Sequence, residues 1–161
     1  MNREERQRKI ESYGNAYHLL TEALRGFPQE MWHYKPSPSE WSIHELLVHI
    51  ADSEANSFIR CRRAVAEPGS AVLGYDEAAW ARQLRYAEQS AEDALELFRW
   101  LRGNTYRFIK TLAEPVWAQT IVHSEIGTMT LDDWLTMYED HVPDHLRQMR
   151  GVVAAWKASA G

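Results

Sequence analysis

WLTMYEDHVPDHLRQM, residues Trp134–Met149, is the stretch whose reading decides the fold. With its flanks it places Leu131, Trp134, Leu135, Tyr138, Val142, Leu146, Met149, Val152, Val153 and Trp156 at helical spacing, which predicts an amphipathic helix with one face in a core. His141 and His145 fall on that same face. Two imidazoles four residues apart on a helix project side by side, a separation that suits joint coordination of one metal ion. The pair also reads as two core histidines bonded to neighbouring side chains, because an unsatisfied buried polar group costs about 1–3 kcal/mol. Pro143 stands between them, removes one backbone donor and is expected to bend the helix, leaving the Glu139 carbonyl without its usual partner.

Working outward, Thr130-Leu-Asp-Asp133 has the form of a helix start, and the apolar stripe carries this last helix to about Lys157. Upstream, residues 115–129 contain a β-prone piece, Trp117 to Val122, read as an ordered loop or small extended segment. Ser90 to Asp93 opens a third long helix with Ala94, Leu95, Phe98, Leu101, Thr105, Phe108, Ile109 and Leu112, which Pro115 is expected to end. The connection before it, residues 67–90, begins as a loop and holds a short helix capped by Asp76.

A second long helix opens at Ser42-Ile-His-Glu45, a capping-box sequence, and runs to about Ala66 before Pro68-Gly69. Its core stripe is Ile43, Leu47, Ile50, Phe58, Cys61 and Val65. Glu54 sits in the middle of that stripe, and His49 at its border. The first helix, roughly Arg3 to Arg25, carries Ile10, Tyr13, Tyr17, Leu20 and Leu24, with Gly14 marking a close helix contact. Residues 27–40 hold three prolines and read as an extended connection whose aromatics pack on the bundle. Four long amphipathic helices predict an all-α four-helix bundle, one domain over residues 1–161. The long 67–90 connection fits a crossover with a short extra helix better than a simple up-down-up-down order.

Composition narrows the function. The 161 residues carry a formal charge of −5, and the basic residues form only short pieces such as Arg60-Cys61-Arg62-Arg63. Phosphate-backbone binding needs a positive face, so nucleic acid is not an expected partner. The single cysteine, Cys61, has no internal disulfide partner and is expected to pack inertly on the core stripe. The polar N-terminus lacks the apolar run of a signal peptide, and no stretch reaches the ~18 apolar residues of a membrane span. A cytoplasmic location is the expectation.

Taken together, WSIHELLVHIADSE (41–54) and TLDDWLTMYEDHVPDHLRQM (130–149) resemble the DinB-like (DinB/YfiT-like) superfamily. The resemblance continues through residues 75–90, 97–112 and 121–135, nearly the whole chain. It implies a four-helix bundle with a divalent metal, zinc or nickel, held by His49 from H-I-A-D-S-E and by His141 and His145 from H-V-P-D-H. It also implies a homodimer, a small-molecule substrate and, as the leading expectation, a thiol-dependent S-transferase using a low-molecular-weight thiol. The alternatives are a metal-dependent hydrolase on the same site, or a non-catalytic metal-binding or stress-response module whose fourth coordination position a protein group, His123 or a carboxylate, fills.

Three neutral imidazoles leave a divalent ion at least one open position, the arrangement of a catalytic site. The ion would lower the pKa of a bound water or thiol. Glu45, Glu54 and Asp144 are candidates to accept the ligands' other N–H, with Glu54 favoured as a catalytic residue for its buried placement. The other reading of Glu54 is an acid paired with an Arg or Tyr of another helix. His123 is expected near the site without being counted as a ligand.

Overall fold

The computed structural model describes residues 1–159. Five helices occur: α1 (Arg3–Leu24), α2 (Ile43–Ala66), α3 (Glu77–Gln83), α4 (Ala91–Ile109) and α5 (Leu131–Ser159). The four long ones form the bundle and α3 is the short helix of the crossover. Their starts are chemically marked. Asn2 caps α1 and Ser42 with Glu45 forms a complete capping box on α2. Asp76 caps α3 and Ser90 caps α4, each side chain accepting from a backbone N–H three residues on. At α5, Thr130 Oγ1 accepts from the Asp133 N–H at 3.1 Å, while the Asp133 carboxylate accepts from the Thr130 N–H at 2.9 Å.

The main helix pairs are α2 with α4, α1 with α5, α2 with α5 and α1 with α4. Helices consecutive along the chain, α1 with α2 and α4 with α5, therefore lie across the bundle diagonals. Gly14 permits the α1–α4 contact: a Cβ there would lie 2.5 Å from Tyr106 Cδ2. Trp134, Tyr13, Tyr86 and Phe98 are among the largest fully buried side chains. Phe27, Trp32 and Tyr34 pack partly buried against the same core.

The connections hold more order than the sequence suggests. Ala71–Val72 (β1) lies parallel to Thr120–His123 (β2), which forms an antiparallel hairpin with Gly127–Thr130 (β3). The expected loop at 67–75 thus supplies an edge strand, because Val72, Ile121 and Met129 bury one face of the sheet on the bundle. The third long helix ends at Ile109, ahead of Pro115, and Glu114–Ala118 forms a separate 3-10 turn with Trp117 buried. Helix α5 runs unbroken through Pro143. No described helix is long and apolar enough to cross a membrane.

Candidate metal centre

Helices α2 and α5 bring His49, His141 and His145 together. One ligand nitrogen from each lies within 4.8 Å of the other two, and among the described residues this is the group of His, Cys, Asp and Glu side chains that converges so. The ring centroids of His49 lie 5.5 Å from His141 and 4.8 Å from His145. The Nε2 atoms of His141 and His145 are 3.1 Å apart, a distance that their i, i+4 placement on one helix face permits. His49 is 1% exposed, and Trp41, just before the α2 cap, packs 4.8 Å from its ring.

Electrostatics hold the cluster neutral. Burial, then proximity to His145, pushes His49 down to about 3. Burial also drives His141 well below the usual imidazole range, with His145 and His49 adding to it. His145 is lowered by burial, against which Gln148 and Asp144 act weakly. Neutral imidazole is the form that binds a metal ion.

Hydrogen bonds help to assign the nitrogens. His145 Nδ1 lies 3.1 Å from Gln148 Oε1. An amide oxygen only accepts, so Nδ1 carries the proton and Nε2 presents a lone pair to the cluster. The Nδ1 of His49 is buried with no hydrogen-bond partner. An orphaned imidazole nitrogen beside two converging ones fits a divalent cation, as does the all-nitrogen donor set. The other reading, two core histidines bonded to neighbours, accounts for His141 and His145, which also bond each other, but leaves the His49 nitrogen without a partner.

The expected acidic partners are elsewhere. Both Glu54 oxygens are taken, one by the Tyr13 hydroxyl at 2.7 Å and the other by Arg102 at 2.6 Å. Glu54 is thus the interhelical ion pair of the second reading and corrects the expectation of an acceptor for the ligands. Glu45 accepts from Lys35 and from the Ser42 backbone in its capping box. Asp144 is exposed and paired with Arg147. Gln148 was not foreseen, although its position one turn after His145 is the signal for it.

A cavity of about 250 Å³ opens at His141, between α2 and α5 and walled by residues 74–77 and the β2–β3 turn. Ser53, Arg60, Tyr138 and His123 help to line it. His123 is 4% exposed and its Nδ1 accepts from the Glu125 N–H at 3.2 Å, so it borders the cavity without joining the cluster. Cys61 is fully buried and burial pushes its thiol up to about 12, which makes it inert.

A diagonal four-helix bundle with three neutral histidines converging from two helices presents a donor set that could hold a metal ion. The sequence profile of the DinB superfamily matches residues 13–149, and the chain belongs to that superfamily. Among curated proteins, it is 27% identical over 107 residues to YfiT of Bacillus subtilis and 27% over 106 residues to a protein of Oceanobacillus iheyensis. Both are named as candidate metal-dependent hydrolases. The matches cover 66% of this chain and 60% and 61% of those proteins, so the chain spans about three fifths of these relatives' length. The solved structure of Bacillus subtilis YfiT, described as having an unusual four-helix bundle topology, superposes with a TM-score of 0.86. It shares 22% identity, over 94% of this chain and 87% of that one, and it shows the fold.

Proposed function

We propose that this chain is a metal-dependent hydrolase acting on a small molecule, with His49, His141 and His145 holding one zinc or nickel ion. The carrying observation is the convergence of three uncharged imidazoles, one of which, His141, lies on the wall of a cavity. A divalent ion bound there supplies Lewis-acid polarisation and activates water at neutral pH. The protein's own groups prepare the site. Burial keeps the ligands unprotonated, Gln148 orients His145, and Trp41 covers His49. The cavity beside His141 offers the substrate a place next to the cluster.

Thiol-dependent S-transfer, the leading expectation from sequence, would use the same three ligands with an added thiol. The relatives' names favour hydrolysis over it. The non-catalytic module needs a protein group in the fourth position, whereas the converging group comprises the three histidines and leaves His123 outside.

The test is metal content per chain of untagged protein beside His141→Ala, followed by turnover of an ester and amide panel with and without added thiol. About one zinc or nickel per chain, lost in the variant, with thiol-independent turnover, supports the hydrolase. Thiol-dependent turnover moves the assignment to the transferase. Protein that holds no metal and takes up neither added ion overturns the metal-centre reading.

A further inference from the structure

The cavity at His141 is lined by two buried side chains that the metal ligands leave unused, Tyr138 and His123. They come from different elements, α5 and β2, and their hydrogen bonds have the same polarity. The Tyr138 hydroxyl oxygen accepts from an Arg60 terminal nitrogen at 2.7 Å, and a guanidinium only donates. His123 Nδ1 lies 3.2 Å from the Glu125 backbone nitrogen, whose N–H likewise only donates. Nδ1 therefore carries the lone pair, and the neutral ring places its proton on Nε2. Burial, then Arg60, lowers His123 below the usual imidazole range, in agreement with that tautomer. In both groups the acceptor side is filled and the donor side is free. Among the described residues, neither the phenolic O–H nor the Nε2–H has an acceptor.

The other polar groups of the lining are engaged or exposed. Arg60 gives its second terminal nitrogen to the Leu73 carbonyl at 2.6 Å, and Glu77 attracts it across the cavity. Ser53 faces the Tyr75 hydroxyl. Glu77 and Glu125 are exposed carboxylates, which repel an arriving anion and leave a neutral molecule unopposed. What two free neutral donors lack is an acceptor oxygen, and a neutral group with two lone pairs on one oxygen is a carbonyl. Each donor is also strengthened from behind. A bond received from a cation by the phenol oxygen, or from an amide by Nδ1, polarises the bond given on the far side.

Position ties the pair to the histidine cluster. Tyr138 precedes His141 by one turn of α5, and their rings are 6.1 Å apart. His123 and His141 stand on the wall of the same space of about 250 Å³. A carbonyl received by the pair is thus held beside one of the three ligands.

We propose that the Tyr138 O–H and the His123 Nε2–H form a two-donor site for the carbonyl oxygen of a neutral ester or amide substrate. The assignment rests on the hydrolase reading for its reaction, though the polarity of the donors itself needs no metal. In that reaction water adds through its oxygen to the carbonyl carbon, while the π electron pair moves onto the carbonyl oxygen. That electron pair then returns to re-form C=O, the bond to the leaving group breaks, and the leaving group departs with one proton of the added water. Tyr138 and His123 keep their own protons throughout. They bond most strongly when the oxygen is negative, so they lower the barrier as well as bind the substrate.

Protein labelled with nitrogen-15 histidine, zinc-loaded and metal-free, is titrated at pH 7 with acetohydroxamic acid, a neutral carbonyl compound, and with acetate as its anionic counterpart. Long-range proton–nitrogen NMR spectra report the ring nitrogens, and the His123 signals are assigned by their loss in His123→Phe. A neutral His123 with its proton on Nε2 is expected, and that nitrogen should shift saturably with acetohydroxamic acid. Tyr138→Phe and His123→Phe should each weaken the probe about tenfold, while zinc uptake stays at the wild-type level. A proton on Nδ1, an unmoved Nε2 signal, or unchanged probe affinity in Tyr138→Phe overturns the donor pair. Acetate that moves the Nε2 signal of the metal-free protein more than acetohydroxamic acid does overturns the neutral-substrate assignment. The wild-type spectra decide the matter even where a variant does not fold. A shifted Nε2 signal in protein that takes up no zinc would retain the pair and remove the hydrolase, whereas zinc uptake with an unmoved signal would do the reverse.

Discussion

The Glu54 carboxylate and the Arg102 guanidinium meet at 2.6 Å with both side chains 1% exposed. They cross from α2 to α4, and the Tyr13 hydroxyl of α1 takes the second Glu54 oxygen. Arg102 reaches further, to the backbone carbonyls of Tyr13 and Tyr138. One ion pair thereby ties all four long helices. Removing one partner strands a buried charge, so Glu54→Ala is expected to cost about 3–5 kcal/mol in urea unfolding. Metal content per folded chain should be unchanged. Loss of metal with intact stability would instead return Glu54 to the site.

Each single replacement of His49, His141 or His145 by Ala is expected to abolish stoichiometric zinc binding. Gln148→Ala should weaken zinc by about tenfold, through loss of the tautomer-fixing bond. Competition against a coloured chelator measures both. Zinc at a hundred times its dissociation constant should stabilise the wild type by about 2.7 kcal/mol, and chelation should reverse the gain. Unaltered affinity in Gln148→Ala would exclude an orienting role.

Arg6 and Asp132 set a pH dependence away from the histidines. Burial acts to raise the Asp132 carboxyl, but its bonds to Arg6 and to the chain's amino terminus prevail and hold it below the usual range. The folded pKa is depressed, so the pair's contribution is complete above the unfolded value and is lost as pH falls through the folded one. Asp132→Asn should flatten the acid limb of the stability profile, by on the order of 1 kcal/mol for this partly exposed pair. An identical acid limb in the variant counts against the pair.

Gly14→Ala introduces a Cβ at 2.5–2.8 Å from the Tyr106 ring. The helix-propensity gain of about 1 kcal/mol should be outweighed, leaving a net loss of about 1–2 kcal/mol. In a Tyr106→Ala background the same change should become neutral or stabilising. Thermal unfolding of the four proteins closes the cycle.

Where apolar periodicity was long, the sequence was readable. The stripe from Leu131 to Trp156 foretold α5, and the caps at Ser42, Asp76 and Ser90 marked three further helix starts. His141 and His145 were visible because their spacing is local. His49 needed a family resemblance, since nothing in its own helix says that α5 lies beside it. The sheet was hidden for a similar reason: a two-residue strand has no period, and its partner lies some fifty residues downstream. Arg60 was only one letter of a short basic run. Its bonds to the Tyr138 hydroxyl and the Leu73 carbonyl are made across the fold and leave no local trace in the sequence.

The diagonal placement of consecutive helices bears on how the molecule forms. Neither the segment from α1 to α2 nor that from α4 to α5 contains a main packed helix pair, so the chain cannot assemble as two independent hairpins. Three of its four main pairs, α1 with α4, α1 with α5 and α2 with α5, join segments far apart in the chain, which slows closure relative to a bundle of neighbours. The two halves of the histidine cluster sit on helices that meet only when this closure is complete. Convergence of the three histidines is therefore a late event in folding, and a chain that presents the cluster has already found its topology.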